Sequence, residues 1–301
     1  MTIFKANYTN LSIVLPAKNE EAGLRKVLPK IKTLYPEAEL ILVNDGSSDD
    51  TAKIAEECGA KVINHPYSKG NGAAIKSGAR QATGEYIVFM DGDGQHDPNE
   101  IALLLEGLEQ GYDLVVGARD RAGQASGARA LANDLYNGIA SKIVEHEIKD
   151  LTSGFRAVHG AKFREFLFLL PNGFSYPTTS TMAFFRAGYS VHYVPITVSK
   201  RLGKSHINLT KDGIRFLLII FKIGTLYSPL KIFFPISMCF FLLGCSYYSY
   251  TYVTDGRFTN MGMLLFVTSL IVFLMGFISE QVTGLLYKDS GLSESTQKER
   301  K

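Results

Sequence analysis

At 301 residues the chain is long enough for one large or two modest domains with ample core. A formal net charge of only +3 excludes a nucleic-acid footprint, so no nucleic-acid partner is expected. Three cysteines, Cys58, Cys239 and Cys245, lack ligand spacing and form no disulfide framework, which suits a reducing, cytosolic setting.

In chain order, Met1 to Asn10 holds no apolar core of the kind a cleavable signal peptide requires. Leu11 to Pro16 reads as a first strand, and Asn19 as the N-cap of a helix over Glu20 to Thr33. Leu40 to Asn44 is a second strand, closed by Asp45-Gly46-Ser47-Ser48-Asp49, and a helix follows to Cys58. Lys61 to Asn64 reads as a third strand and Gly72 to Ala82 as a helix. The apolar run Tyr86 to Met90 is a buried strand ending in Asp91-Gly92-Asp93-Gly94-Gln95-His96. A helix from Pro98 to Gln110 and a strand from Leu114 to Gly117 come next. Such alternation predicts a parallel sheet with helices on both faces. Ligands of these sheets bind beyond the carboxyl ends of the strands, where Pro16, Asp45 and Asp91 fall.

Asp91 and Asp93, one residue apart at a strand end, can turn towards one point, and Gln95 adds a neutral oxygen. These hard oxygen donors suit Mg²⁺ or Mn²⁺ carrying a nucleoside diphosphate. An EF-hand is excluded, because His96 stands where its loop requires glycine. Lys69-Gly70-Asn71-Gly72 lacks the third glycine of a dinucleotide fingerprint. Its backbone N–H groups, at the start of a helix, suit phosphate or ribose, with Lys69 supplying charge.

Two further segments decide the architecture. Ile232 to Val253 and Met261 to Ile278 contain no charged residue, and each is long enough to span a membrane. A polar turn, Thr254 to Asn260, joins them. Lysines and arginines flank the pair at both ends, which puts both termini in the cytosol. Gly213 to Tyr227 mixes apolar residues with Arg215 and Lys222, as an interfacial helix or the start of a transmembrane segment does.

Taken together, Leu15-Pro16-Ala17-Lys18-Asn19-Glu20, Val43 to Asp49, Lys69 to Gly72, Asp91 to His96, Val116-Gly117-Ala118-Arg119, Asp150 to Arg156 and Arg201 to Ser205 resemble a known family. They are similar in order and spacing to the family 2 glycosyltransferases of GT-A fold, in the dolichol-phosphate mannose synthase-like branch of polyprenyl-phosphate glycosyltransferases. The resemblance covers about residues 11 to 210. It implies an α/β, Rossmann-like GT-A domain over 1–212, a juxtamembrane helix over 213–227, a transmembrane hairpin over 228–288 and a polar cytosolic tail over 289–301. It also implies a membrane-bound hexosyltransferase, mannosyl- or glucosyltransferase-like, with Mg²⁺ or Mn²⁺ as cofactor. The donor would be a GDP- or UDP-linked sugar and the acceptor a polyprenyl phosphate.

By position, the resemblance assigns Pro16, Ala17, Asn19, Glu20 and Asp45 to the nucleoside, with Asp45 accepting hydrogen bonds from base or ribose. Lys69, Gly72 and Gly92 join the nucleotide-sugar site. Asp91, Asp93 and Gln95 would ligate the metal; Arg119, Arg129 and Ser153 would face the acceptor phosphate; Arg201 and Lys204 would close over the diphosphate. Two positions depart from the pattern. Tyr176-Pro177-Thr178-Thr179-Ser180 follows Gly173-Phe174-Ser175 where relatives carry an acidic residue, and His206 replaces a lysine.

A lipid monophosphate, with a second pKa of about 6, needs no base to become nucleophilic. A single in-line displacement would invert the anomeric centre. Three rivals stand beside this reading. A processive synthase is excluded, because its Q-x-x-R-W motif needs a tryptophan and the chain has none. Transfer to a lipid hydroxyl would need a base, for which Asp150 is the candidate. An inactive nucleotide-sugar-binding membrane scaffold is disfavoured by the intact Asp91 and Asp93 pair. The choice of sugar, nucleobase and polyprenol, and assembly into a homo-oligomer, stay open.

Overall fold

The computed structural model describes residues 10–119, 127–173, 175–198, 221, 224–225 and 227–298. They divide between two compact units: Met1–Ser141 with His146–Asn208, and Lys142–Glu145 with Leu209–Lys301.

The first unit is built on a sheet of seven strands: β1 (Leu11–Ala17), β2 (Glu39–Asn44), β3 (Lys61–Asn64), β4 (Tyr86–Phe89), β5 (Leu114–Arg119), β6 (Arg156–His159) and β7 (Val191–Ile196). Their spatial order is β3-β2-β1-β4-β6-β5-β7. Helices α1 (Glu21–Leu34), α2 (Thr51–Glu57), α3 (Asn71–Gln81), α4 (Ile101–Glu109), α5 (Gly127–Val144), α6 (Gly160–Glu165) and α7 (Tyr176–Arg186) connect or follow the strands. On one face, Leu11, Ile13 and Leu15 of β1 share a core with Leu24, Leu28 and Ile31 of α1 and Leu104 and Leu108 of α4. On the other, Val14 packs against α3 at Gly78. A strand covered on both faces reads as a continuous apolar run, which is why β1 and β2 are plain in the sequence.

One expectation is overturned. The sheet is mixed, because β6 runs antiparallel to both neighbours, pairing Phe89 with Arg156 on one side and Val116 with Arg156 on the other. Four residues beginning with arginine and ending with histidine carry no strand periodicity to read. A second expectation fails at Asn19, which is not an N-cap. It adopts a left-handed φ of 55°, and its Oδ1 accepts from the Ser48 amide at 2.8 Å.

The second unit carries a hairpin of α8 (Pro229–Asp255) and α9 (Asn260–Lys298). Within Pro229–Asp255 and Asn260–Leu285, an 18-residue stretch reaches a mean hydropathy of 1.6 and 2.5 respectively, and both helices are long and apolar enough to cross a membrane. Leu242, Leu243, Leu264 and Leu270 are exposed on it, as lipid-facing side chains would be. Gly256, at φ 63°, ends α8 by donating its amide to the Tyr252 carbonyl. Ser237 and Ser269 lock the helices reciprocally, each hydroxyl donating to the other residue's carbonyl at 2.9 Å. At the open end, Glu280 Oε2 accepts from the Leu230 amide in the first turn of α8. Most of the expected interfacial helix over 213–227 lies outside the described residues.

At the amino end of the sheet, the buried Ser12 hydroxyl donates to Glu39 Oε2 at 2.6 Å and accepts from the Gly84 amide at 2.9 Å. Ser12→Ala orphans that amide and one carboxylate contact, and should cost about 1–3 kcal/mol. Thermal unfolding of the detergent-solubilised full chain will show a lowered midpoint.

Candidate functional site

The carboxyl ends of β1, β2, β4 and β5 meet at one edge, and the loops after β1, β2 and β4 are laced together by hydrogen bonds. Ala17 O accepts from the Asp45 amide at 2.9 Å and Pro16 O from the Gly92 amide at 3.4 Å. Asn19 and Glu20 amides donate to Ser47 Oγ and Thr51 Oγ1, both at 3.0 Å. Pro16 and Ala17 are buried, whereas Lys18 and Asn19 are exposed at the rim.

Two expected nucleotide contacts have other work. Asp45 is 4% exposed, and both its oxygens are taken. Oδ1 meets His65 Nδ1 at 2.7 Å and the Lys69 amide at 2.8 Å; Oδ2 accepts from Ser68 Oγ at 2.8 Å and the Gly70 amide at 2.9 Å. The carboxylate therefore pins the 68–70 loop instead of offering an acceptor to base or ribose. Burial raises its pKa, but these donors prevail and hold it at about 2. Gly72 is the second correction. Its amide donates to Gly173 O at 3.1 Å, and the Ala73 amide to Asn172 O at 3.1 Å. The first turn of α3 thus spends these donors on the chain itself, leaving them closed to phosphate. Lys69 remains exposed, its ammonium 5.8 Å from the Tyr67 ring centre.

Asp91, Gly92, Asp93 and Gln95 follow β4. Asp93 is buried, and its Oδ1 accepts from the Gln95 amide at 3.1 Å; Asp91 and Gln95 are half-buried. Among the described residues, no group of three or more His, Cys, Asp and Glu side chains could hold a metal ion. Two carboxylates and an amide are what Mg²⁺ or Mn²⁺ takes from a protein when diphosphate and water complete its shell, so the donor set fits such an ion. Behind the loop, His96 stacks on Phe155 with ring centres 4.8 Å apart. Burial is the main cause that holds its imidazole down at about 4, so it is neutral at pH 7.

The turn before β6 completes the edge. Asp150 grips Arg119 in a fork, with Nε to Oδ2 at 2.7 Å and Nη2 to Oδ1 at 3.0 Å. Thr152 Oγ1 accepts a third bond from Arg119 at 2.6 Å. Burial pushes Asp150 up, but the guanidinium beside it holds the carboxyl below the usual range. Ser153 is 1% exposed, and its hydroxyl has no hydrogen-bond partner among the described residues. It lies under the surface of the turn expected to face the acceptor phosphate. The side chain of Arg129 and the whole of Arg201, Lys204 and His206 lie outside the described residues. Sequence reasoning gave no role to Arg156 or Tyr176, both fully buried here. The signal was available: each sits in a stretch singled out for other residues.

Three comparisons bear on this arrangement. The family model described as glycosyl transferase family 2 matches residues 12–167, and one described as GtrB C-terminal hairpin matches 228–285. The chain is 38% identical over 159 residues to the undecaprenyl-phosphate 4-deoxy-4-formamido-L-arabinose transferase of Proteus mirabilis, covering 49% of this chain and 48% of that one. It thus spans about half the length of that relative. Similarity to the glycosyltransferase AglJ of Haloferax volcanii is 25% but covers 91% of this chain and 93% of that one. Among solved structures, glucosyl-3-phosphoglycerate synthase from Mycobacterium tuberculosis, in complex with Mn²⁺, UDP and glucosyl-3-phosphoglycerate, superposes with a TM-score of 0.59 at 23% identity. That match covers 71% of this chain and 80% of that one, and it shows the fold.

The depressed Asp45 carboxyl contributes stability above its unfolded pKa of 3.8 and loses it as pH falls through that value towards about 2. Asp45→Asn should therefore be less stable by about 2 kcal/mol at pH 7. In acid titrations followed by circular dichroism, the gap from the native chain should close between pH 4 and 2.

Proposed function

The chain belongs to glycosyl transferase family 2 and carries a C-terminal membrane hairpin, and from this we propose that it moves a sugar from a nucleoside-diphosphate donor to a polyprenyl monophosphate. The observation that carries the acceptor class is the state of Asp150. Both its oxygens are held by Arg119, and its pKa is lowered, so it is a poor base for activating a hydroxyl. The helix that follows, α7, buries Thr178, Thr179, Ser180 and Thr181 in a stretch where the family resemblance leads one to expect an acid. A phosphate acceptor, already ionised, asks for neither. The names of the formamido-arabinose transferases, which specify undecaprenyl phosphate, support the same class.

On this reading Asp91, Asp93 and Gln95 hold a divalent cation, Mg²⁺ or Mn²⁺, which supplies positive charge to the departing nucleoside diphosphate. Pro16, Ala17, Asn19 and Glu20 line the nucleoside end, with Asp45 shaping the 68–70 loop and placing Lys69. Arg119, oriented by Asp150, meets the acceptor phosphate together with Arg129; Arg201 and Lys204 cover the donor diphosphate. The chain's part is alignment of two anionic partners and exclusion of water, and the displacement inverts the anomeric centre. We place the catalytic domain at 1–212, the juxtamembrane helix at 213–227, the hairpin at 228–288 and the tail at 289–301, with domain and termini cytosolic.

Membranes containing the protein, incubated with undecaprenyl or dolichyl phosphate and labelled GDP- and UDP-linked hexoses and pentoses, should pass label to the organic phase for one donor. NMR should show the opposite anomer in the product. Asp91→Asn or Asp93→Asn should lower turnover at least 100-fold, in the range of losing one electrostatic stabiliser. Asp150→Asn should raise KM for the lipid phosphate without abolishing transfer. Complete loss with an intact fold would point to a hydroxyl acceptor.

A further inference from the structure

Arg156 is 0% exposed, and its hydrogen bonds run to neutral oxygens. Nη1 donates to Pro177 O at 3.0 Å, Ser180 Oγ at 2.7 Å and Thr181 Oγ1 at 3.2 Å; Nη2 donates to Ser153 O; Nε has no partner among the described residues. Its guanidinium also lies 5.7 Å from the centre of the Tyr176 ring. A charge buried without a hydrogen-bonded carboxylate is costly, and residues that replaced it by an apolar side chain would pack more cheaply. What the arginine holds is therefore informative. Ser153 O is its contact on the turn, and the next residue, Gly154, gives its carbonyl to the Tyr176 hydroxyl at 3.2 Å. A β-carbon on Gly154 would lie 3.0 Å from Asp91 Oδ2 and 3.2 Å from the Tyr176 hydroxyl. The turn thus lies close against the Asp91 carboxylate and is tied down through its two carbonyls by two buried side chains.

We infer that Arg156 and Tyr176 are positioning residues for Asp91: they hold the Ser153–Gly154 turn against its carboxylate and so fix that carboxylate in one orientation. The inference rests on the reading of Asp91 as a cation ligand. Gly154 is the sensitive point, because an added methyl meets the carboxylate oxygen closer than most such contacts and must displace it by a few tenths of an ångström. A ligand moved this far loses affinity for a small cation that demands near-ideal geometry.

The test is Mn²⁺ binding to the full chain in detergent, read from the free-ion signal in electron paramagnetic resonance, with UDP or GDP present. Gly154→Ala should weaken Mn²⁺ binding about tenfold, a loss of the size reported for disturbed ligand orientation. Its near-ultraviolet circular dichroism should match the native chain. Tyr176→Phe, which deletes only the hydroxyl, should weaken binding in the same direction. Arg156→Lys should bind Mn²⁺ more tightly than Arg156→Met. Native affinity in folded Gly154→Ala and Tyr176→Phe overturns the inference and leaves the cation reading standing. A native chain that binds no Mn²⁺ with either nucleotide overturns both.

Discussion

A single reversed strand decides what can meet at the working edge of this molecule. In a parallel sheet every strand delivers its carboxyl end to one side, so the side chains there come from segments that follow strands. Because β6 runs the other way between β4 and β5, the segment that precedes it, Asp150 to Phe155, reaches that side as well. The pairing of Phe89 with Arg156 sets Asp91, two residues past the one, beside Gly154, two residues before the other. Arg119, at the end of β5, closes on Asp150 from the second flank of the same strand.

That convergence concentrates charge. Asp91, Asp93 and Asp150 share the edge with Arg119 and Arg156, and each influences its neighbours. Burial lowers Arg156 from its ordinary value, against the pull of Tyr176, Tyr193, Asp150 and Asp91. Burial and the Asp91 charge push the Tyr176 phenol up, which keeps it a proton donor to Gly154 O. The Arg119 fork with Asp150 engages both oxygens of that carboxylate and holds one guanidinium in a fixed orientation. On the proposed function, two phosphate-bearing partners would meet an edge whose acidic charge is already largely balanced by arginine.

Much of this was legible in the chain itself, for definite reasons. Strands β1, β2 and β4 announce themselves because burial on both faces makes them uninterrupted apolar runs, and the acidic and glycine clusters mark where they stop. The hairpin is equally plain, since two long, largely apolar stretches without a charged residue have few other uses. Strand β6 was hidden by its brevity and by Arg156, a residue that belongs on a surface by every compositional rule. The uses of Asp45 and Gly72 were hidden for another reason. A motif shows that a carboxylate or a glycine amide stands at the rim, but not whether His65, Ser68, Asn172 and Gly173 have already claimed its hydrogen bonds. Satisfaction of polar groups is a property of the fold in three dimensions and leaves no periodic trace.

The paired hydroxyls of Ser237 and Ser269 carry a consequence for the anchor. Interhelical bonds in lipid are individually modest, about 0.6 kcal/mol on average. A reciprocal pair, however, admits one longitudinal setting of α8 against α9, and sliding by a single turn would strand both hydroxyls in hydrocarbon. The two spans thus favour one shared register, which couples the tilt of either helix to that of the other.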